Sequence, residues 1–230
     1  FVSSWGEGSF SDNEHGIFIA RNDEVWLVDA NYHIVTKHSP NGEHLMTLGN
    51  KLTPSPTFIG RPFNMPTGLS IAPNGNIWVS DGYGGHRVHK FNPQGKILHS
   101  FGAQGDGPSQ FALLHNIGVD KRERVYVCDR ENNRIQIFDN QGNYLNQWID
   151  LILPGDLWFV DEVVYVIEQG DEGGVSIWNL DGELLARWRG SVSQEGRTIQ
   201  NGHGICVDFE GSIYVAELSP RDCVTKFQRL

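Results

Sequence analysis

Short runs of β-branched and aromatic residues recur along the chain, and each run ends in a polar turn. Such runs are typical of β-strands. One set ends in a carboxylate every time, and its members are Val25–Asp29, Ile77–Asp81, Val125–Asp129, Val164–Glu168 and Ile213–Glu217. The runs that follow alternate polar and apolar residues with period two. This alternation predicts a strand with one face on a neighbouring sheet and the other toward solvent.

Tight turns and a further apolar run complete a repeating unit. The turns are Asn41-Gly42, Gln94-Gly95, Gln141-Gly142 and Asp181-Gly182. In each turn, glycine supplies the positive φ that a hairpin requires. The apolar runs that follow are His44–Leu48, Ile97–Phe101, Tyr144–Trp148 and Leu184–Trp188. The segments that open the units are His15–Ile19, Thr67–Ile71, His115–Val119, Gly155–Phe159 and His203–Val207.

The unit returns about every 40–50 residues, which is the spacing of β-propeller blades. We therefore predict an all-β protein, a β-propeller of four-stranded blades that forms one domain over residues 1–230. The fifth unit stops after its third strand, and the chain starts with an orphan fourth strand, Phe1–Trp5. A propeller exposes a sheet edge unless its ends join. We expect five blades, closed by pairing of this first strand with the last blade.

The alternative is a six-bladed ring whose first blade lies upstream of Phe1. It is favoured by histidine at every second opening segment, because alternate blades of six are related by a three-fold axis.

Composition and charge narrow the possible partners. The formal charge is −10, and an acidic surface disfavours nucleic acid because phosphate contacts need clustered Lys and Arg. No apolar stretch approaches the ~20 residues of a membrane span, and no secretory signal is visible. The three cysteines show no disulfide or zinc-knuckle spacing, and we expect Cys128 and Cys206 to be buried thiols. We expect a monomer; the compartment is not predicted.

The first position of the opening segments reads His15, Thr67, His115, Gly155 and His203. Equivalent positions in a propeller point at one axis, so the three imidazoles are expected to meet there. Neutral imidazole suits zinc, and three protein ligands with an open position describe a catalytic site. The alternative is that each ring hydrogen-bonds a neighbouring backbone. The remaining histidines are expected on the surface; they are His33, His38, His44, His86, His89 and His99.

Two further residues leave strand ends at the same mouth. Tyr83 follows the second strand of the second unit, and Arg130 follows that of the third. A phenol beside a cation has a lowered pKa and can act as a base, and an arginine fork can pair with a carboxylate. The simpler interpretations are a loop aromatic packed on glycines and an ion pair of Arg130 with Glu131 or Asp129. The carboxylates that end every second strand are expected to cap turns.

The chain resembles NHL-repeat proteins, and among them peptidyl-α-hydroxyglycine α-amidating lyase and its bacterial relatives. The resemblance covers nearly all of the chain. The NHL likeness is carried by Pro66–Asp81 with Arg87–Phe91 and by His115–Phe138. The most specific segments of the lyase likeness are Val79–Tyr83, Gln110–His115, Asp129–Asn132 and Gly202–Gly204.

This resemblance implies a six-bladed ring, zinc held by His15, His115 and His203, Tyr83 as the base and Arg130 as a charge-stabilising residue. It implies cleavage of an α-hydroxyglycine C–N bond to release an amide and glyoxylate.

Three departures limit what the resemblance implies. The family's first blade, which carries a second active-site arginine, has no counterpart after Phe1. Gly204 stands where the family has an acidic residue associated with a structural calcium, and Gly84 stands where it has a cysteine. The resemblance therefore does not extend to the calcium or to that disulfide.

Two other functions compete with a zinc-dependent lyase acting on a small-molecule or peptide substrate. One is a non-catalytic propeller that binds a protein, peptide or glycan on its rim, since fold alone does not decide function. The other is a calcium-dependent lactonase-like propeller, which would need converging oxygen ligands. The histidine column argues against the second.

Overall fold

The structure is a computed structural model, and it describes residues 2–56, 61–170, 173–189, 199, 201–219 and 222–229. Each repeating unit folds into one antiparallel sheet whose strands pair in sequence order. Blade 1 contains β1 to β4 at Glu14–Ile19, Val25–Asp29, Ile34–His38 and His44–Gly49. Blade 2 contains β5 to β8 at Gly68–Ile71, Ile77–Asp81, Arg87–Phe91 and Ile97–Phe101.

The remaining blades follow the same order. A two-stranded parallel pair, β9 and β10, precedes blade 3 at Ala103–Gln104 and Gln110–Phe111. Blade 3 contains β11 to β14 at Leu114–Val119, Val125–Asp129, Arg134–Phe138 and Tyr144–Trp148. Blade 4 contains β15 to β18 at Pro154–Val160, Val163–Glu168, Gly174–Asn179 and Leu184–Arg189. Blade 5 contains β19 to β21 at Gly202–Val207, Ile213–Glu217 and Cys223–Phe227. A 3₁₀ turn at Arg130–Asn132 follows β12.

The five sheets stand around a ring with their first strands innermost, so the prediction of a five-bladed β-propeller is confirmed. Apolar layers fill the spaces between consecutive blades, because alternate residues of each strand face the two neighbouring sheets. Trp26 of blade 1 packs with Leu69 of blade 2, and Tyr126 of blade 3 packs with Leu157 of blade 4. Blades 2 and 3, and blades 4 and 5, share similar layers.

The predicted pairing of the first strand with the last blade is not observed. Residues 2–5 form no strand, and blade 5 contains three strands within the described chain. The Trp5 ring instead contacts His38 and the turn glycine Gly42 of blade 1. The segment is therefore held by side-chain packing on blade 1. No helix in the described ranges is long and apolar enough to cross a bilayer.

Three burial predictions were wrong. His38 and His89 are buried, because each lies on a third strand with its side chain turned to an apolar or aromatic neighbour: Trp5 for His38 and Phe63 for His89. Cys128 is buried as expected, whereas Cys206 is exposed because it lies on the face of blade 5 that points away from blade 4.

The capping role of the second-strand carboxylates is confirmed. Asp29, Asp81, Asp129 and Glu168 accept a backbone N–H from the loop that leads into the first strand of the same blade. Each carboxylate therefore fixes the chain three or four residues before the position that faces the axis. The structural role explains why the same residue type recurs in these blades.

Candidate metal centre

The three histidines of the repeat column meet on the propeller axis. Ring centroids are 4.8 Å apart for His15 and His115, 4.8 Å for His15 and His203, and 4.6 Å for His115 and His203. One potential ligand nitrogen from each ring lies within 4.8 Å of the other two. The rings lie at 67–73° to one another, so they face a shared space rather than stack.

A β-bulge aims each of these rings at the axis. The register of the first and second strands slips between Glu14 and Gly16, between Leu114 and Asn116, and between Gly202 and Gly204. The skipped residue in each case is the histidine. A bulge leaves one residue without a ladder partner and redirects its side chain. The bulge therefore turns the histidine side chain from the face of the sheet toward the propeller axis.

Backbone carbonyls of the next blade orient two of the rings. Nδ1 of His15 lies 2.6 Å from the Thr67 carbonyl oxygen, and Nδ1 of His115 lies 2.7 Å from that of Gly155. A carbonyl only accepts, so Nδ1 carries the proton and Nε2 presents its lone pair to the shared space. This arrangement is the usual outer support of a metal-binding imidazole.

Among the ring nitrogens of the cluster, Nε2 of His115 gives the strongest indication of a metal site. His115 is 1% exposed, and this nitrogen is buried without a hydrogen-bond partner among the described residues. A buried unpaired acceptor costs roughly 1–3 kcal/mol. A divalent cation between the three rings would bind that lone pair, so the residues fit a metal. Zinc is consistent with an all-imidazole set, whereas calcium prefers oxygen ligands.

The electrostatics keep the rings neutral. Burial and the neighbouring His203 lower the pKa of His15 to about 4. Burial, followed by the other two rings, lowers the pKa of His115 well below its ordinary value, and burial lowers the pKa of His203. An imidazole binds a metal only in its neutral form, so these lowered pKa values leave the three rings able to bind a metal at neutral pH.

Tyr83 lies beside the histidines. Its hydroxyl is 2.7 Å from Nε2 of His15 and donates to it, and its ring is T-shaped against His15 at 5.0 Å. Burial raises the pKa of Tyr83, while the positive charge of the nearby Arg130 guanidinium opposes that rise. The phenol therefore lies between a potential metal ligand and a fixed positive charge.

Arg130 forms one of the two ion pairs considered for it, the pair with Glu131. Its guanidinium lies 2.8 Å from Glu131 Oε1 and 3.2 Å from the amide oxygen of Gln169. These partners hold the planar fork at the mouth beside Tyr83. Asp129, the other anion considered, pairs instead with Arg134 at 2.8 Å.

Sequence reasoning missed Gln169 and Asp156. Gln169 follows the carboxylate of blade 4 at the same register as Arg130 in blade 3, so the repeat itself could have revealed it. Asp156 lies one residue after the axial position, where its carboxylate accepts from Asn116 Nδ2 at 2.5 Å and from the Ile205 N–H at 3.0 Å. Burial raises the pKa of Asp156 to about 7. This carboxylate ties blades 3, 4 and 5 together next to the histidines.

Comparison with known proteins agrees with this architecture. The NHL repeat family model matches residues 63–91 and 111–138. A probable peptidyl-α-hydroxyglycine α-amidating lyase of Caenorhabditis elegans is 26% identical over 95% of this chain and 65% of its own length. The human NHL repeat-containing protein 3 is 32% identical over 68% of this chain and 49% of its length. The chain thus spans less than two thirds of these curated relatives.

Solved structures show the same fold. A streptogramin B lyase superposes with a TM-score of 0.65 at 16% identity, covering 93% of this chain and 68% of that one. The chain is a β-propeller that contains NHL repeats at residues 63–91 and 111–138 and a cluster of axial histidines. Among named proteins it resembles the peptidyl-α-hydroxyglycine α-amidating lyases.

Proposed function

We propose that this propeller is a zinc-dependent lyase that cleaves the C–N bond of an α-hydroxyglycine-type substrate, or of a related small molecule, at the axial mouth. The metal part of the proposal rests on the buried, unpaired Nε2 of His115 and on a cluster in which one ring nitrogen each of His15, His115 and His203 lies within 4.8 Å of the others. The names of the amidating-lyase relatives supply the reaction class and the substrate.

His15, His115 and His203 would hold the ion. Bound zinc would act as a Lewis acid toward a substrate oxygen and leave one position for it. Arg130 would pair with the substrate carboxylate, since its fork presents two parallel N–H donors. The Glu131 and Gln169 contacts already hold that fork in place, which lowers the ordering cost of binding.

Tyr83 would move the proton. As the phenolate, its oxygen takes the hydroxyl proton of the substrate, and the C–O bond becomes a carbonyl. The C–N bond breaks, its electron pair passes to the amide nitrogen, and that nitrogen takes the proton back from Tyr83. The amide and glyoxylate leave with all atoms accounted for. Burial raises the pKa of Tyr83, and the positive charge of Arg130 would favour the phenolate against that rise, because a cation lowers the pKa of a neighbouring phenol.

Zinc titration of the chelator-stripped protein tests the metal site. We expect one zinc per chain, at least 100-fold weaker binding in His115→Ala, and unchanged binding in His99→Ala, whose imidazole is exposed and lies away from the cluster. Failure of the parent protein to bind zinc would overturn the proposal.

A turnover assay distinguishes a zinc-dependent lyase from a propeller that binds zinc without catalysing a reaction. With a peptidyl-α-hydroxyglycine substrate, we expect glyoxylate release by the zinc-loaded protein and loss of at least 100-fold in Tyr83→Phe with zinc affinity retained. Zinc binding without glyoxylate release would instead support the rim-binding propeller.

A further inference from the structure

Gln169 occupies the same kind of position at the mouth as Tyr83 and Arg130. Each of the three residues donates its backbone N–H to the carbonyl that lies two residues before the axial position of its own blade. These bonds run from Tyr83 to Met65 at 3.2 Å, from Arg130 to Leu113 at 2.9 Å and from Gln169 to Leu153 at 3.1 Å. Blades 2, 3 and 4 therefore present these side chains from equivalent places.

Gly155 leaves room for the Gln169 side chain at the axis. A Cβ atom on Gly155 would lie 2.7 Å from Nε2 and 3.0 Å from Cδ of Gln169, which is closer than a real Cβ packs. Gly155 stands at the axial position of blade 4, and its carbonyl accepts the Nδ1 proton of His115. The carboxamide of Gln169 therefore fills the place of an axial side chain, in the blade that orients the His115 ring.

Arg130 fixes which way the carboxamide of Gln169 points. Oε1 of Gln169 lies 3.2 Å from Nη1 of Arg130, and a guanidinium only donates, so the oxygen faces Arg130 and the nitrogen faces away. Among the residues that the structure describes, none accepts a hydrogen bond from Nε2, and this nitrogen keeps access to solvent. Gln169 is 7% exposed, so this free N–H donor is held in place rather than mobile on the surface.

The contacts of Arg130 leave the end of its guanidinium for a ligand. Nε and Nη2 both donate to Glu131 Oε1, at 3.0 and 2.8 Å, and Nη1 donates to Gln169. Each terminal nitrogen carries two N–H groups, so one further N–H remains on Nη1 and one on Nη2. Two parallel donors of this kind match a carboxylate. Nε2 belongs to the same carboxamide as the oxygen bound to Nη1, so its N–H groups lie beside these donors.

The charge balance around Arg130 suits an amide at position 169. Glu131 already places one carboxylate against the guanidinium. A second acidic side chain would leave the pair with a net negative charge, which repels an anionic ligand. Gln169 instead adds N–H donors without adding negative charge, so an incoming carboxylate still meets the positive end of Arg130.

We propose that Gln169 is a substrate-binding residue whose Nε2 donates a hydrogen bond to the substrate carboxylate that pairs with Arg130. The inference rests on the proposed function, from which it takes the carboxylate and the role of Arg130. It places that carboxylate between blades 3 and 4, beside Gly155, and makes two side chains rather than one responsible for selecting it. A glutamine with a purely structural role would support Arg130 through Oε1 and leave Nε2 unused.

Glyoxylate binding to the zinc-loaded protein, measured by isothermal titration calorimetry, tests Gln169 without turnover. Gln169→Met keeps the length of the side chain and removes its amide, so we expect at least 10-fold weaker glyoxylate binding with unchanged zinc affinity. Gln169→Glu adds a carboxylate beside Arg130 and should weaken binding at least 100-fold. Gln147→Met is the matched control, because Gln147 Oε1 accepts from Nη1 of Arg134 at 3.0 Å on the outer strand of blade 3. It should bind glyoxylate like the parent.

The Arg130→Met background separates direct contact from support of Arg130. If Nε2 contacts the carboxylate, adding Gln169→Met should weaken glyoxylate binding at least a further 3-fold. No further loss would show that Gln169 acts only through Arg130 and would overturn the inference. A zinc-loaded parent that does not bind glyoxylate would overturn it as well.

The outcomes also distinguish this inference from the proposed function. A parent that releases glyoxylate from substrate, with unchanged glyoxylate binding in Gln169→Met, would overturn the inference alone. Glyoxylate binding that requires Gln169, in a zinc-loaded parent without turnover, would support the inference and overturn the proposed lyase activity.

Discussion

Blades 3 and 5 are built from the same sequence pattern, yet they bury it differently. Both begin with a bulged histidine, and both place an apolar residue at the second position of the third strand. Ile135 of blade 3 is fully buried, whereas Val224 of blade 5 is mostly exposed. The alternation of residues therefore determines which side chains share a face. Whether that face is covered depends on the neighbouring blade.

Blades 3 and 5 also differ in how they enclose their axial histidines at the candidate site. His115 is enclosed, and its Nδ1 proton is held by the Gly155 carbonyl of blade 4. His203 occupies the equivalent position in blade 5 but is partly exposed, and it has no corresponding carbonyl within the described chain. An axial imidazole is thus oriented by the next blade as much as by its own strand.

The largest expected effect compares the carboxylates of an interior and an end blade. Asp129 of blade 3 pairs with buried Arg134 at 2.8 Å and caps the Ala112 N–H. Asp129→Ala leaves that guanidinium buried without its partner, so we expect a loss of about 3–5 kcal/mol in the free energy of unfolding. Asp29 of blade 1 accepts hydrogen bonds from Ser11 and Tyr32, and Asp29→Ala should cost about 1–3 kcal/mol. Urea titrations measure both, and equal losses would contradict the comparison.

The next effect tests the apolar faces directly. In the 230-residue chain, Ile135→Ala should destabilise by about 2–5 kcal/mol because it opens a cavity between blades 3 and 4. Val224→Ala should lie within about 0.5 kcal/mol of the parent, because the side chain faces solvent. Urea unfolding midpoints compare the two. A large loss for Val224→Ala would show that its face is covered.

Much of the fold follows from the sequence because strand patterns are local. The runs ending in Asp29, Asp81 and Asp129 correspond residue by residue to second strands of the propeller. The convergence of His15, His115 and His203 follows from repeat symmetry alone. Turn glycines such as Gly42 adopt the positive φ that hairpins require, as predicted.

The remainder depends on tertiary packing. The burial of His89 follows from its contacts with Phe63 and Asp81, which lie on another loop and another strand. The bulges that aim the histidines depend on pairing with the second strand, which a list of residue types does not specify. The repeat did contain a signal for Gln169, in the position after the second-strand carboxylate, but glutamine there suggests no chemistry by itself.

The smallest effect concerns pH and the metal-free site. His15 has a folded-state pKa of about 4, below its ordinary 6.5. Between these values the unfolded chain binds a proton that the folded chain does not, so the free energy of unfolding falls as pH decreases from 6.5 toward 4. Allowing for partial exposure, this one ring contributes on the order of 2 kcal/mol. His115 and His203 act in the same direction.

Asp156 acts in the opposite direction, because its pKa is raised from 3.8 to about 7 and the folded chain keeps a proton that the unfolded chain loses as pH rises. Denaturant titrations at several pH values, with chelator present, measure the free energy of unfolding and separate the contribution of His15 from that of Asp156. His15→Gln should flatten the acid-side loss of stability, since its amide does not titrate, whereas Asp156→Asn should steepen it. If His15→Gln leaves the pH profile unchanged, the ring is protonated or solvated in the folded protein. Buried and partly exposed axial histidines would then not differ in protonation.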